Sequence, residues 1–186
     1  MMHEAITWWR NKHGIVPPIG YELRDHWGER WSRFHCLPLS KRYPETAAEY
    51  TELERRARAI AHTLFSPGET VYGFHSTYTF DDAPPVAVPA RLTELLSVSR
   101  AKFQVEGGEA TCFTRAFSFN WPLDRFDALI RQVADEEITM LTFVAPASRN
   151  VLCPYDGGFD IFTHALEPGE MRERFAEWLS DRPDFL

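Results

Sequence analysis

Cysteine is scarce in this chain. Its three cysteines, Cys36, Cys112 and Cys153, cannot all pair within one molecule, and no two stand in a CxxC spacing. That excludes a disulfide framework and argues against a clustered-thiolate zinc site. Long apolar runs are missing too. No stretch approaches the roughly 18 apolar residues that span a bilayer, and the opening MMHEAITWWRNK lacks the apolar core of a signal peptide. The expectation is a reduced, cytoplasmic protein with free, mostly buried thiols. The sequence holds no GxSxG, HExxH, Walker loop or GxGxxG, so it announces no familiar hydrolase, metalloprotease or nucleotide-binding chemistry. Neither internal repeats nor low-complexity tracts interrupt it.

What is present describes a packed globular unit. Apolar residues make up 44% of the 186 and charged residues 25%, which excludes wholesale disorder. This length suits one domain and is short for two. Aromatic residues, at 14%, point to bulky core packing. The net charge of −7 argues against a general nucleic-acid or membrane-surface binder. The charge is uneven. Residues 1–60 carry ten Lys/Arg and eight Asp/Glu, whereas residues 61–186 carry ten and nineteen. The acidic C-terminal portion could receive a basic partner, or it could only keep a small protein soluble.

Local signals give an element order. A short helix over 3–13 carries Ile6 and Trp9 and stops at Gly14; IVPPIG then forces an extended turn. Residues 21–44 give no clear pattern beyond a strand over 30–37. The strongest helix runs over 47–65. Thr46 and Glu49 form a capping box, Tyr50, Leu53, Ala57, Ile60 and Leu64 form one stripe, and Glu52–Arg56 and Glu54–Arg58 pair along the exposed face. VYGFHSTYTF, 71–80, alternates as a strand with one buried face. A proline-rich loop over 81–90 follows, then a short helix over 91–97, a strand over 99–105, a Gly107-Gly108 turn and a strand over 110–119. Pro122 opens a helix over 122–135. ITMLTFVAP, 138–146, is apolar on both faces and belongs at the centre of a sheet. A hairpin and a helix over 168–180 close the chain. Residues 1–186 therefore read as a single α+β domain, with a mostly antiparallel sheet and helices packed on it.

The hairpin, CPYDGGFDIF, holds the candidate site. Asp156-Gly157 between apolar runs signals a type I′ turn with positive φ at both central residues. Tyr155 then faces Gly158, Cys153 faces Asp160 and Leu152 faces Ile161. Asp160 stands inside a strand, where aspartate is disfavoured. It is either a ligand or base, or a buried acid bonded to backbone or to an arginine. Tyr155 shares its face, and His164, four residues on, shares it if the strand continues. A mixed metal site from Cys153, Asp160 and His164 is weakly supported, so no metal and no cofactor is expected. Cys153 makes a poor nucleophile opposite a carboxylate.

A second patch interleaves cations and aromatics between residues 27 and 43. Arg33 and Arg42 are its candidate binding residues. Such a mixture can hold phosphates and stack on bases, or it can pair with the protein's own acids. Together, RFHCLPLSKRYPET (33–46) and YDGGFDIF with the later RERFAEWLS (155–180) resemble a group of small bacterial proteins of unknown function. In that group an RxHxLPxSKRY segment accompanies a PYDGGxD hairpin. The resemblance implies a bacterial, cytoplasmic, single-domain protein and transfers no activity. The leading expectation is a non-catalytic interaction module that masks a protein partner, as an immunity protein does. The alternatives are a small hydrolase using Asp160 with His164 or His75, and a nucleic-acid binder acting through residues 30–43.

Overall fold

A computed structural model describes residues 2–80, 88, 90–96, 100–104 and 110–180. Seven strands form one sheet, ordered β1-β7-β6-β5-β2-β4-β3, and every pairing is antiparallel. They are β1 (Trp31–His35), β2 (Thr70–Phe80), β3 (Arg100–Gln104), β4 (Ala110–Asn120), β5 (Leu141–Val144), β6 (Val151–Tyr155) and β7 (Gly158–Phe162). The helices are α1 (Glu4–His13), α2 (Gly20–Trp27), α3 (Ala47–Leu64), α4 (Ala90–Thr93), α5 (Phe126–Ala134) and α6 (Pro168–Arg174). The α+β architecture is the one the sequence patterning implies.

Alternating residues send side chains to two cores. On one face Phe34, Leu152, Phe159, Ile161 and Phe143 pack with α3, α5 and α6. On the other, Trp31, Phe162, Cys153, Val151 and Phe74 pack with α1 and α2. The sheet is thus covered on both sides, which corrects the reading of 71–80 as a strand with one buried face. Val71 and Phe74 are fully buried in different cores, and Phe80, grouped with the inward side chains by alternation, is exposed. All four β5 residues are buried at the centre of the sheet, as the unbroken apolar run requires.

α3 forms where its cap and stripe place it. The Thr46 hydroxyl accepts the Glu49 N–H at 3.3 Å, and the Glu49 carboxylate accepts the Thr46 N–H at 3.0 Å. One expected surface pair forms: Arg56 Nε donates to Glu52 at 2.6 Å, although Arg56 itself is buried. The other does not. Arg58 donates to Asp127 and Arg131 donates to Glu54, so these charges tie α3 to α5 rather than reinforcing α3 alone.

Other expectations fail at element ends. Pro122 follows a cis peptide in the turn after β4, and α5 begins only at Phe126. The last helix breaks at Phe175, where ψ is 33°, and resumes as a 3-10 turn over Ala176–Trp178 that stacks Phe175 on Trp178. α2 was not read from the sequence, although Ile19, Leu23 and Trp27, spaced four apart, all pack into the second core; at eight residues and without a side-chain cap it lacks the length and start signal that mark α3. The Gly107-Gly108 turn and nearly all of the 81–90 loop lie outside the described residues. No helix among the described residues is long and apolar enough to cross a membrane.

Two substitutions test the α3 placement by urea unfolding. Thr46→Ala should cost about 1 kcal/mol through loss of the cap. Leu53, 2% exposed in the core, should cost about 2–5 kcal/mol as alanine. Negligible losses in both would mean that this helix does not carry the core.

Candidate functional site

β1 and β7 pair so that Arg33 stands directly across from Asp160. Arg33 Nε donates to Asp160 Oδ1 at 2.8 Å and Nη2 donates to Oδ2 at 2.9 Å, a two-pronged contact. The indole N–H of Trp31, two residues earlier on the same face, donates to Oδ1 at 2.7 Å. Asp160 is 5% exposed. The Arg33 guanidinium lies 4.7 Å from the Tyr155 ring centre and 5.4 Å from that of Trp31. Three of the five residues anticipated as a site, Arg33, Tyr155 and Asp160, therefore form one unit.

Arg42 completes a second unit beside it. Its Nε donates to Asp156 Oδ2 at 2.6 Å, and the guanidinium lies 5.5 Å from the Tyr43 ring centre. Burial alone would raise the Asp156 carboxyl, but hydrogen bonds from Arg42 and Tyr43 hold it below its ordinary value. The remaining cations of the 30–43 segment are paired internally as well: Arg30 with Glu167, and Lys41 with Glu45 and Glu49. This geometry supports the intramolecular reading of the patch.

Both units line a cleft of about 460 Å³. His35 and Ser40 from the first patch also border it, with Pro154 and Gly157 from the hairpin and Met140 and Leu141 from the start of β5. Ile19, Gly20 and Tyr21, at the start of α2, form the facing wall. Sequence reasoning missed that side because α2 is short and has no side-chain cap to mark its start, although Ile19, Leu23 and Trp27 recur at a spacing of four. His35 and Ser40 could have been found, since both lie inside the RFHCLPLSKRY segment. Leu39 and Ser40 have φ of 55° and Met140 has φ of 53°. They are three of the five non-glycine residues with positive φ among the described residues. Sparsely populated backbone thus gathers at this cleft, as it does at functional sites.

The hairpin register is the anticipated one, with Tyr155 opposite Gly158 and Cys153 opposite Asp160. The turn is not. Neither Asp156 nor Gly157 has positive φ, so the type I′ assignment is corrected. The glycines serve close approach instead. A Cβ on Gly158 would lie 2.1 Å from the Phe34 carbonyl oxygen of the neighbouring strand β1, whose His35 pairs with it; one on Gly157 would lie 2.9 Å from the Tyr155 ring.

Neither His75 nor His164, the histidines weighed as partners for Asp160, lines the cleft; the histidine that borders it is His35. β7 ends at Phe162, and His164 turns to pack against Trp27. His75 is buried on β2, where burial and then the Arg115 charge push it down to about 4. Cys153 borders the cleft, but burial first and the Asp160 charge after it push its thiol far up. Burial likewise pushes Cys36 and Cys112 up to about 11. All three cysteines are free and buried. Among the described residues, no three His, Cys, Asp or Glu side chains gather as metal ligands do.

Thermal melts separate these roles. Asp160→Asn should cost about 3 kcal/mol, because it leaves the Arg33 charge buried without its partner. Gly158→Ala should cost about 3 kcal/mol through backbone collision, and Gly157→Ala no more than about 1 kcal/mol, since the tyrosine ring can shift. An Asp160→Asn variant as stable as the parent would mean that the ion pair is not structural.

A pH series tests the buried histidines. With the folded His75 near 4 and an ordinary value near 6.5, the unfolded chain takes up the proton first. Its contribution is complete above about 6.5 and is lost as pH falls toward 4. Glu49 and Glu52, held near 2 by Lys41 and by Arg55, lose theirs only below the ordinary carboxylate range. Melting temperature should therefore fall between pH 6.5 and 4.5, and His75→Gln should flatten that slope. An unchanged slope would contradict the assignment.

No curated protein and no solved structure matches the chain. A family model described as a domain of unknown function, DUF3885, matches residues 19–183. That span contains every residue bordering the cleft. The chain belongs to the DUF3885 family of domains of unknown function.

Proposed function

We propose that the chain is a bacterial, cytoplasmic, non-catalytic interaction module that binds and masks a protein partner, in the manner of an immunity protein. Segment 33–43 and hairpin 154–160 are its recognition elements. One observation carries this reading. Six large apolar side chains are exposed among the described residues. Tyr21, one of them, lines the cleft; Leu39 directly precedes the lining residue Ser40 in sequence, and Tyr43 directly follows Arg42. Leu39 is 100% exposed on a two-residue left-handed turn. A fully exposed leucine one residue from the cleft lining, with an exposed tyrosine in that lining and another next to Arg42, has the composition of a partner-binding face.

Catalysis finds less support. Asp160 is committed to three donors, Asp156 to Arg42, and the Cys153 thiol is far from ionising at neutral pH. The idea of a basic partner is also weakened, because several acids behind the C-terminal charge are already paired. Asp127, Asp156, Asp160 and Glu167 each hold an arginine.

Affinity capture from the source cell, followed by reconstitution from the two purified proteins, tests the proposal. A stoichiometric complex should form, and Leu39→Asp should weaken it at least about tenfold without moving the melting temperature. A complex indifferent to Leu39→Asp, or none that reconstitutes, would overturn it.

A further inference from the structure

We infer that the cleft is a receptor for a chain-terminal carboxylate carried by an apolar residue, presented by the protein partner. The inference rests on the binding-module reading above and specifies what that module grips.

The donors set the sign of the ligand. Only Nε of Arg42 is engaged, by Asp156. Its side chain is 60% exposed, and its two Nη groups hold no hydrogen bond among the described residues. Arg33 uses Nε and Nη2 on Asp160 and leaves Nη1. Guanidinium N–H groups that are fixed in place and open to the cleft select a carboxylate or phosphate.

Charge balance chooses between those two. The cleft lining holds two arginines and two aspartates, so its formal sum is zero before any ligand enters. A monoanion leaves one uncompensated charge, whereas a phosphomonoester near neutral pH leaves almost two. The balance favours the carboxylate.

Shape then chooses among carboxylates. The volume of about 460 Å³ lies in the usual range for small-ligand sites, roughly 300–1,000 Å³. Ile19, Met140, Leu141 and Pro154 supply apolar surface to the same lining as the arginines. A lone acidic side chain would leave that surface uncovered. A terminal residue joins carboxylate and apolar side chain at a single carbon and reaches both. Once the arginines have fixed the ligand, the start of α2 adds to its hold. Ile19 makes no side-chain cap, and Gly20 and Tyr21 border the cleft with first-turn N–H groups that have no helical acceptor.

Calorimetric titration of the full chain tests this with four probes. They are N-acetylphenylalanine, its amide, N-acetylaspartate methylamide as an internal acid, and phenyl phosphate. N-acetylphenylalanine should bind in the millimolar range or tighter, at least about tenfold better than the other three. Arg42→Gln should lower that affinity about tenfold with at most a small fall in melting temperature, because the glutamine amide can still donate to Asp156. Equal binding of acid and amide would overturn the inference, as would no binding of the acid by about 10 mM. Tighter phenyl phosphate would make the cleft a phosphate site, and tighter N-acetylaspartate methylamide a site for internal acids; either result overturns the inference as stated. A negative panel beside a Leu39-dependent protein complex sinks the carboxylate alone. A positive panel with no such complex sinks the protein-binding reading.

Discussion

The Arg33–Asp160 ion pair is the contact on which the cleft depends. It joins edge strand β1 to the hairpin across a register in which the two residues face each other. Two prongs and the Trp31 indole fix the carboxylate, and the rings of Trp31 and Tyr155 fix the guanidinium. β1 is fed by α2 and leads into the left-handed turn at Leu39 and Ser40. Where β1 sits therefore decides where Tyr21, Ser40 and Arg42 meet the hairpin. A buried pair of this kind contributes less net stability than its geometry suggests, since both charges are desolvated. It does penalise misregistry, because a one-residue slip of β1 would bury both charges apart.

The same pair explains how far the sequence could be read. Helix α3 was legible because its cap, stripe and stop are local, and the hairpin register was legible because alternation leaves one self-consistent pairing. Asp160 stood out as an acid in a strand, but its partner lies 127 residues away, and no local rule reaches that far. Gly157 drew notice through the turn rule, whereas Gly158 is the more constrained position, for a reason that exists only once β1 pairs beside it. Helix α2 stayed hidden because it is only eight residues long and has no side-chain cap, so its Ile19, Leu23 and Trp27 stripe was too short to stand out. The cleft was half legible. Arg33, Arg42, Tyr155 and Asp160 belong to it, His164 does not, and the residues at the start of α2 were not anticipated.

Charge looked different in sequence and in space. In sequence, the basic segment and the acidic C-terminal portion each left two readings open, an outside partner or a role within the chain. In the fold three cations of the segment, Arg30, Arg33 and Arg42, each meet an acid from beyond residue 155. Segregated charge along a chain is thus compatible with a cleft whose lining sums to zero. What remains for a ligand is the unspent directionality of the arginine donors, which a net-charge count cannot show.

That residue of directionality favours recognition over chemistry. A proton-transferring group must be free to reach its substrate's proton, and the Asp160 carboxylate is already held by three donors. A nucleophilic thiol needs its anion, and burial denies it to Cys153. Recognition asks for the opposite properties: groups that stay in one ionisation state and one place. Here the guanidinium of Arg33 is clamped between rings, Arg42 is tied at Nε, and the backbone at Leu39, Ser40 and Met140 is held in conformations that few sequences would adopt unaided. Ordering those groups is a cost met during folding, so a ligand that enters does not have to meet it again. On the proposed reading, the features that argue against catalysis in the cleft are the ones that suit it to rigid recognition.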